Sequence, residues 1–297
     1  MTFDAQLDAA RIEVDYDARA TVSQDRFDEI IAEYLLFSDQ AAALFMEAEG
    51  VVYDPCGERL DILGAGGAGR AAVIFIHGGY WRALSRAHSR FMAPMLAAHG
   101  VATVVPDFTL APTASLPEIT RQMRAALAHV WHNADGLGID RTRIFAVGSS
   151  AGGHLAACLA SGGWQAGFDL PEQALAGCMP VSGLFDLAPV ARAAPQAWLS
   201  LTAQDIHDTS PLRHIPAQGC PMVVALAEGE AAGFARQSRA YADAWQAAGH
   251  PADHMVIEGR NHFDVVLDLC SDQRALSRAL LQMIEAHGGE QPRRACS

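Results

Sequence analysis

Gly148-Ser149-Ser150-Ala151-Gly152 is the stretch of this chain whose residue types and spacing are best suited to chemistry. It follows the apolar run Arg143-Ile144-Phe145-Ala146-Val147 and opens the small-residue stretch from His154 to Ala160. A strand that turns sharply into a helix through small residues holds the middle serine in a strained turn, with its hydroxyl presented at the strand's carboxyl end. Ser150 is then a candidate nucleophile, and the Ala151 NH, at the helix N-terminus, a donor to a developing oxyanion. Read alone, the motif is equally a helix N-cap serine in a glycine-rich turn. A second motif separates the two readings. Ala71 to Ile76 reads as a buried strand that runs into His77-Gly78-Gly79-Tyr80-Trp81, about seventy residues before the serine, where an oxyanion loop belongs. Gly78 and Gly79 are the candidate donors, with the Tyr80 NH as a substitute. Tyr80 and Trp81 follow at once, and their rings are candidate substrate contacts for an aromatic acyl or leaving group.

A serine nucleophile needs a base, and the base a carboxylate, in the chain order nucleophile, acid, histidine. His262 lies in the loop after a last apolar strand, Asp253 to Ile257, and is the expected base. His154 competes, but one turn into the helix after the serine it is placed to pack locally. For the acid, the strand Pro221 to Ala227 is followed by Glu228 and Glu230. Glu230 is preferred because it lies further past the strand end, where the turn has room to bring a carboxylate to the imidazole. Glu228, Asp186 and Asp264 follow in that order.

Together His77-Gly78-Gly79-Tyr80-Trp81, Gly148 to Gly152, Val181-Ser182-Gly183-Leu184-Phe185-Asp186-Leu187, Ser210-Pro211-Leu212 and Asn261-His262-Phe263 resemble the arylformamidases, or kynurenine formamidases, of the α/β-hydrolase fold. The resemblance runs from about residue 50 to 285, and its HGGxW element is the discriminating part, since hormone-sensitive-lipase-like esterases usually carry a third glycine where this chain has Tyr80. It implies Ser150 as nucleophile, His262 as base and the carboxylate after the penultimate strand as acid. That carboxylate is commonly Asp in the family where this chain has Glu230, and Ala227 stands where Gly is common. The reaction implied is hydrolysis of N-formylkynurenine to kynurenine and formate in tryptophan breakdown, without a cofactor. A carboxylesterase of small acyl or aryl esters uses the same triad and is the alternative; a non-catalytic ligand-binding member of the fold is a third reading, which a full candidate set disfavours.

The elements that must position these residues alternate between strand and helix, as a mostly parallel sheet with covered faces demands. Val51 to Tyr53 and Leu60 to Leu63 read as antiparallel edge strands, and further strands end near Ile76, Val105, Val147, Val181, Ala227 and Ile257, about eight in all. Leu116 to Trp131, Phe234 to Ala247 and Val265 to Ala286 carry helical spacing. Residues 1–50 are read as an N-terminal helical extension, 51–287 as the hydrolase domain, and 288–297 as a polar, disordered tail. Within the extension Val22 to Met46 reads as an amphipathic helix with Phe27, Ile30, Ile31, Tyr34 and Leu35 on one side, a candidate for docking on the body, for covering the site entrance or for a homodimer contact. Leu187 to Pro216, rich in Ala and Pro, is the expected cap over the substrate pocket.

The 297 residues suit one large domain, and 51% hydrophobic composition supplies its core. A net charge of −13 argues against nucleic acid or an anionic membrane as partner and suits a soluble cytoplasmic enzyme with a small-molecule substrate. Residues 1–17 lack a basic and then apolar leader, and no apolar run approaches the roughly 18 residues of a membrane span. The six cysteines show no paired spacing; Cys158, Cys178 and Cys270 read as small core residues. Gly64 to Gly69 matches G-x-G-x-x-G but precedes a strand, so it reads as a loop, not a dinucleotide site. His129 with His132 and His250 with His254 lack the partners or spacing of a zinc site, and no metal is expected.

Overall fold

A computed structural model describes residues 3–288; of the tail expected over 288–297, Gly288 instead closes the last helix and the rest lies outside the described residues. Helices α1 (Ala9–Asp15) and α2 (Gln24–Phe45) come first, then β1 (Met46–Val52), β2 (Arg59–Leu63) and β3 (Arg70–Ile76). Helix α3 (Ala93–Ala98), β4 (Ala102–Pro106), α4 (Leu116–His132), β5 (Ile139–Ser149), α5 (Ala151–Ala160) and β6 (Gly177–Val181) follow. The described residues end through α6 (Gln196–Leu199), α7 (Ala203–Asp208), β7 (Met222–Gly229), α8 (Ala232–Ala247), β8 (Ala252–Asn261) and α9 (Ala275–Gly288). The strands form one sheet in the order β1-β2-β4-β3-β5-β6-β7-β8, with β2 antiparallel to both neighbours and the others parallel. This is the α/β-hydrolase fold.

Period-2 alternation sends the strand residues into two cores. Ala72, Ile74 and Ile76 of β3 pack toward the face covered by α4, α5 and α8, whereas Ala71, Val73 and Phe75 pack toward α2, α3 and α9. Every residue of β3 is buried, which explains the unbroken apolar run from Ala71 to Ile76. From β3 the chain crosses to β4 on one side and then to β5 on the other. Loops leaving the carboxyl ends of β3 and β5 therefore diverge, and the gap between them is where open α/β sheets place ligands.

Three expectations shift. The helix read over 265–286 breaks into a 3-10 stretch, Asp264–Cys270, and α9: Ser271 is extended and its hydroxyl accepts from the Gln273 NH at 3.3 Å, a local turn that competes with helix. The boundary drawn at residue 50 falls inside β1, because the chain passes from α2 straight into the sheet at Met46. Ser23 caps α2, accepting from the Arg26 NH at 3.2 Å, so the helix starts two residues after Val22. Gly64 to Gly69 is the connection from β2 to β3.

Candidate active site

Ser150 sits between β5 and α5 with φ 57° and ψ −117°, a backbone conformation that costs a non-glycine residue on the order of 1–3 kcal/mol and must be imposed by its surroundings. Two glycines impose it. A Cβ on Gly148 would stand 2.2 Å from the Gly152 carbonyl oxygen, and one on Gly152 would stand 2.0 Å from the Ile76 carbonyl oxygen, so β5, α5 and β3 approach closely only because neither side chain exists. The Ser150 NH donates to Val181 O at 2.8 Å, tying the elbow to β6.

The Ser150 hydroxyl lies 2.9 Å from His262 Nε2, and His262 Nδ1 lies 2.7 Å from Glu230 Oε2. The second contact makes Nδ1 the protonated nitrogen and leaves Nε2 to accept from the serine. His262 is held on the turn after β8 by a reciprocal pair: Asn261 Oδ1 accepts from the NH groups of Phe263 and Asp264, and Asp264 Oδ1 accepts from the Asn261 NH. The rings of Phe234 and Phe263 meet the imidazole edge to face at 4.7 and 5.0 Å. Glu230 follows β7, and its side chain is 1% exposed. Its other oxygen accepts from the Ser182 hydroxyl and from the Ala227 NH, so the buried carboxylate has a partner on each oxygen. Ser182 is a residue that motif reading missed as a site member. It follows β6 in a left-handed conformation (φ 49°), and the Ser-Gly pair after an apolar strand was the available signal. Four neighbouring parallel strands thus each deliver one polar side chain to the same edge: Ser150, Ser182, Glu230 and His262.

The other candidate acids are committed elsewhere. Glu228 is exposed and accepts from the Gly259 NH at 3.0 Å. Asp186 pairs with Arg213 at 3.1 Å and accepts from the Ala188 NH. Asp264 holds the His262 turn and reaches Arg26 at 3.3 Å. His154 is fully buried against the edge of Trp81, with Nε2 on the Thr209 carbonyl at 2.7 Å, and burial pushes its pKa down to about 4.

After β3 the chain enters a left-handed run, Gly79 (φ 96°), Tyr80 (48°) and Trp81 (59°). A Cβ on Gly78 would stand 3.2 Å from the Ser150 Cβ, so this loop lies directly on the elbow. Among the described residues, no protein group accepts from the NH of Gly78, Gly79 or Ala151, which leaves all three available to a ligand. His77 is buried, stacked on Phe108 at 4.3 Å and paired with the Gly78 carbonyl at 2.9 Å; burial lowers its pKa to about 4 and keeps it neutral. Trp81 corrects an expectation. The same left-handed turn that leaves Tyr80 on the cavity wall drives Trp81 into the core, where it is 0% exposed and anchors the loop from beneath instead of touching substrate.

A cavity of about 220 Å³ opens above Ser150 and His262. Its floor is the Gly78-Gly79-Tyr80 loop, and its roof is Ala18, Arg19, Phe27, Ile31 and Tyr34 from the N-terminal region. The roof is fastened by the Tyr34 hydroxyl, which donates to the Phe263 carbonyl beside His262, and by the Arg90 NH, which donates to Ser38. Leu187 to Pro216, expected to cap this pocket, contributes nothing to its lining. That segment packs behind the loop instead, with Trp198 Nε1 donating to the Tyr80 carbonyl at 3.0 Å. The N-terminal helix occupies the position that a cap would need.

The BD-FAE family model matches residues 60–240, more than half of the sequence. The chain belongs to that family. It is 28% identical to the kynurenine formamidase of Danio rerio over 77% of this chain and 78% of that protein, and 28% identical to the kynurenine formamidase of Salmo salar over 78% and 76%. A hyperthermophilic esterase from the archaeon Pyrobaculum calidifontis shares the fold, with a TM-score of 0.73 at 19% identity over 96% of this chain and 99% of that one. The protein is an α/β-hydrolase enzyme with formamidase relatives. Among the described residues no helix is long and apolar enough to cross a membrane, and no group of three or more His, Cys, Asp or Glu could hold a metal ion. Cys158, Cys178 and Cys220 are buried free thiols; Cys270, expected in the core, is half-buried.

Proposed function

We propose that this enzyme hydrolyses aryl formamides, N-formylkynurenine foremost, through a formyl-enzyme on Ser150. The observation that carries the reading is the continuous hydrogen-bonded line Ser150–His262–Glu230 beneath a small aromatic cavity, and the kynurenine formamidase relatives supply the substrate class. Ser150 Oγ attacks the formyl carbon as its proton passes to His262 Nε2. The carbonyl oxygen becomes an oxyanion held by the NH groups of Gly78 or Gly79 and Ala151; each such donor lowers the barrier by about 2.7–4 kcal/mol. As the C–N bond breaks, the arylamine nitrogen takes the proton from His262. Water then attacks the formyl ester, giving its proton to His262, and Ser150 leaves with that proton as formate departs. Glu230, fixed by Ser182, holds the imidazole tautomer and stabilises the imidazolium. An arylamine is a good leaving group for an amide, so the same site would also open activated esters.

Steady-state hydrolysis of N-formylkynurenine beside p-nitrophenyl acetate, for the native chain and Ser150→Ala, tests the reading. The expected result is a higher kcat/KM for the formamide, lost in the variant. Turnover of the ester alone would move the enzyme to the carboxylesterases, and formamide turnover that survives in Ser150→Ala would end the serine mechanism.

A further inference from the structure

The oxyanion loop closes in a turn that its own residues disfavour. The Arg82 NH donates to the Gly79 carbonyl at 3.0 Å, and the two residues between them, Tyr80 and Trp81, have φ of 48° and 59°. Positive φ at both central positions is the pattern of a type I′ turn, which Asn, Asp and Gly fill readily and bulky aromatic residues do not. Turning over the peptide between the central residues gives a type II′ turn, in which only the first keeps a positive φ. That flip would release Trp81 from the left-handed region. It would also carry the Tyr80 carbonyl toward the cavity that the loop floors, where its dipole opposes a developing oxyanion. The observed turn must therefore be held.

The Tyr80 carbonyl belongs to that central peptide, and Trp198 Nε1 donates to it at 3.0 Å. The carbonyls on either side, of Gly79 and Trp81, accept from backbone NH groups, the second from Ala111 at 2.8 Å, so among the described residues Tyr80's is the one in this run held by a side chain. The turn grips the indole a second time, since the Arg82 guanidinium lies over its ring at 3.8 Å. Trp198 is itself placed from outside the loop. It stands on α6, where Gln196 brackets Leu201 through both amide atoms at 2.9 and 3.1 Å, and Glu13 of α1 accepts from the Ala194 NH at 2.9 Å. Among the described residues that line the reaction cavity it is absent. We propose that Trp198 is a positioning residue for the oxyanion hole, a latch that keeps the Tyr80–Trp81 peptide unflipped and with it the Gly78 and Gly79 donors aimed at the acyl group on Ser150. This assignment rests on the acyl-hydrolase reading of Ser150, and it gives the segment 187–216 a part in the reaction without contact to substrate.

The test separates the oxyanion from the pocket. Trifluoroacetophenone is attacked by Ser150 Oγ at its carbonyl carbon, the serine proton passing to His262 Nε2 and the carbonyl electron pair becoming the oxyanion, whereas acetophenone fills the same space without adding. Both are assayed as competitive inhibitors of p-nitrophenyl acetate hydrolysis, in the native enzyme and in one whose Trp198 indole is replaced by the isosteric benzothiophene, which keeps a ring beneath Arg82 and lacks the NH. The expected result is a loss of about tenfold in affinity for the fluorinated ketone and in kcat/KM together, the weight of one hydrogen bond, with acetophenone affinity changed by less than about twofold. Trp198→Phe also lacks the donor and should give the same split, so the test stands if the first variant folds poorly. Unchanged affinity for the fluorinated ketone would overturn the latch, and so would an equal loss for both ketones, which would reduce Trp198 to packing. A native enzyme that binds the two ketones alike would overturn it together with the serine reading. Failure of the formamidase reading alone would show differently, as no turnover of N-formylkynurenine with the split between the ketones intact.

Discussion

The carboxyl edge of β5 to β8 and the N-terminal roof enclose one cavity but are built by different means. At the sheet edge, main-chain geometry does the positioning: the Ser150 turn is forced by the close approach of β3, β5 and α5, and Glu230 and His262 are set by the register of β7 beside β8. In the roof, side chains do it. Helix α2 is held over the site by Tyr34, Ser38 and Arg26, and Tyr80 below it donates its hydroxyl to the Tyr16 carbonyl of the N-terminal arm. The difference teaches that the Ser150–His262–Glu230 line is placed by close backbone approach and strand register, whereas the roof over the cavity is attached by side-chain contacts that can be altered singly.

The sharpest way to break this comparison is at the acid. Glu230→Gln should lower kcat by on the order of 10³-fold or more, since the amide no longer stabilises the imidazolium, while Glu228→Gln, on the exposed side of the same turn, should change it by less than about twofold. Similar losses in both would mean that the carboxylate at 2.7 Å from His262 is not the working one. A smaller and different effect is expected in the roof. Phe27→Ala removes a ring from the cavity lining, so KM for aryl substrates should rise by about tenfold with kcat changed less. A fall in kcat at constant KM would show that α2 takes part in the chemical step.

The smallest effect is on stability and concerns the core beneath the site. His154 has its pKa pushed down to about 4 by burial, from an ordinary value of 6.5. The unfolded chain therefore binds a proton that the folded chain refuses, so this contribution is present above pH 6.5 and is lost as pH falls toward 4. The urea midpoint should drop between pH 7 and pH 5, and in His154→Gln it should drop less steeply; identical slopes would show that His154 is not buried neutral.

The sheet edge was legible in the sequence because its signals are local. Apolar strands that end in Gly-x-Ser-x-Gly and His-Gly-Gly state their own geometry, and the spacing of Glu230 past β7 was enough to prefer it to Glu228. The rest depended on which distant segments meet. Trp81 follows Tyr80 in an oxyanion loop and was expected beside substrate, but three successive positive φ values send the two side chains to opposite sides of the loop. The apolar side of α2 was visible, and covering the site entrance was one of three readings it allowed beside body docking and a homodimer contact; the choice among them, and over residues 187–216 as the cap, was not legible, because an amphipathic stripe does not say which face of the sheet will take it.

The account stands most directly on Ser150 forming an acyl-enzyme. The enzyme would be mixed with p-nitrophenyl acetate, quenched in acid within the first turnover, digested and read by peptide mass spectrometry. The account predicts a nitrophenol burst and one acetyl group on the peptide that contains Ser150, absent from the same peptide in His262→Ala. Acetyl on a cysteine or another serine, or hydrolysis with neither burst nor adduct, would contradict it.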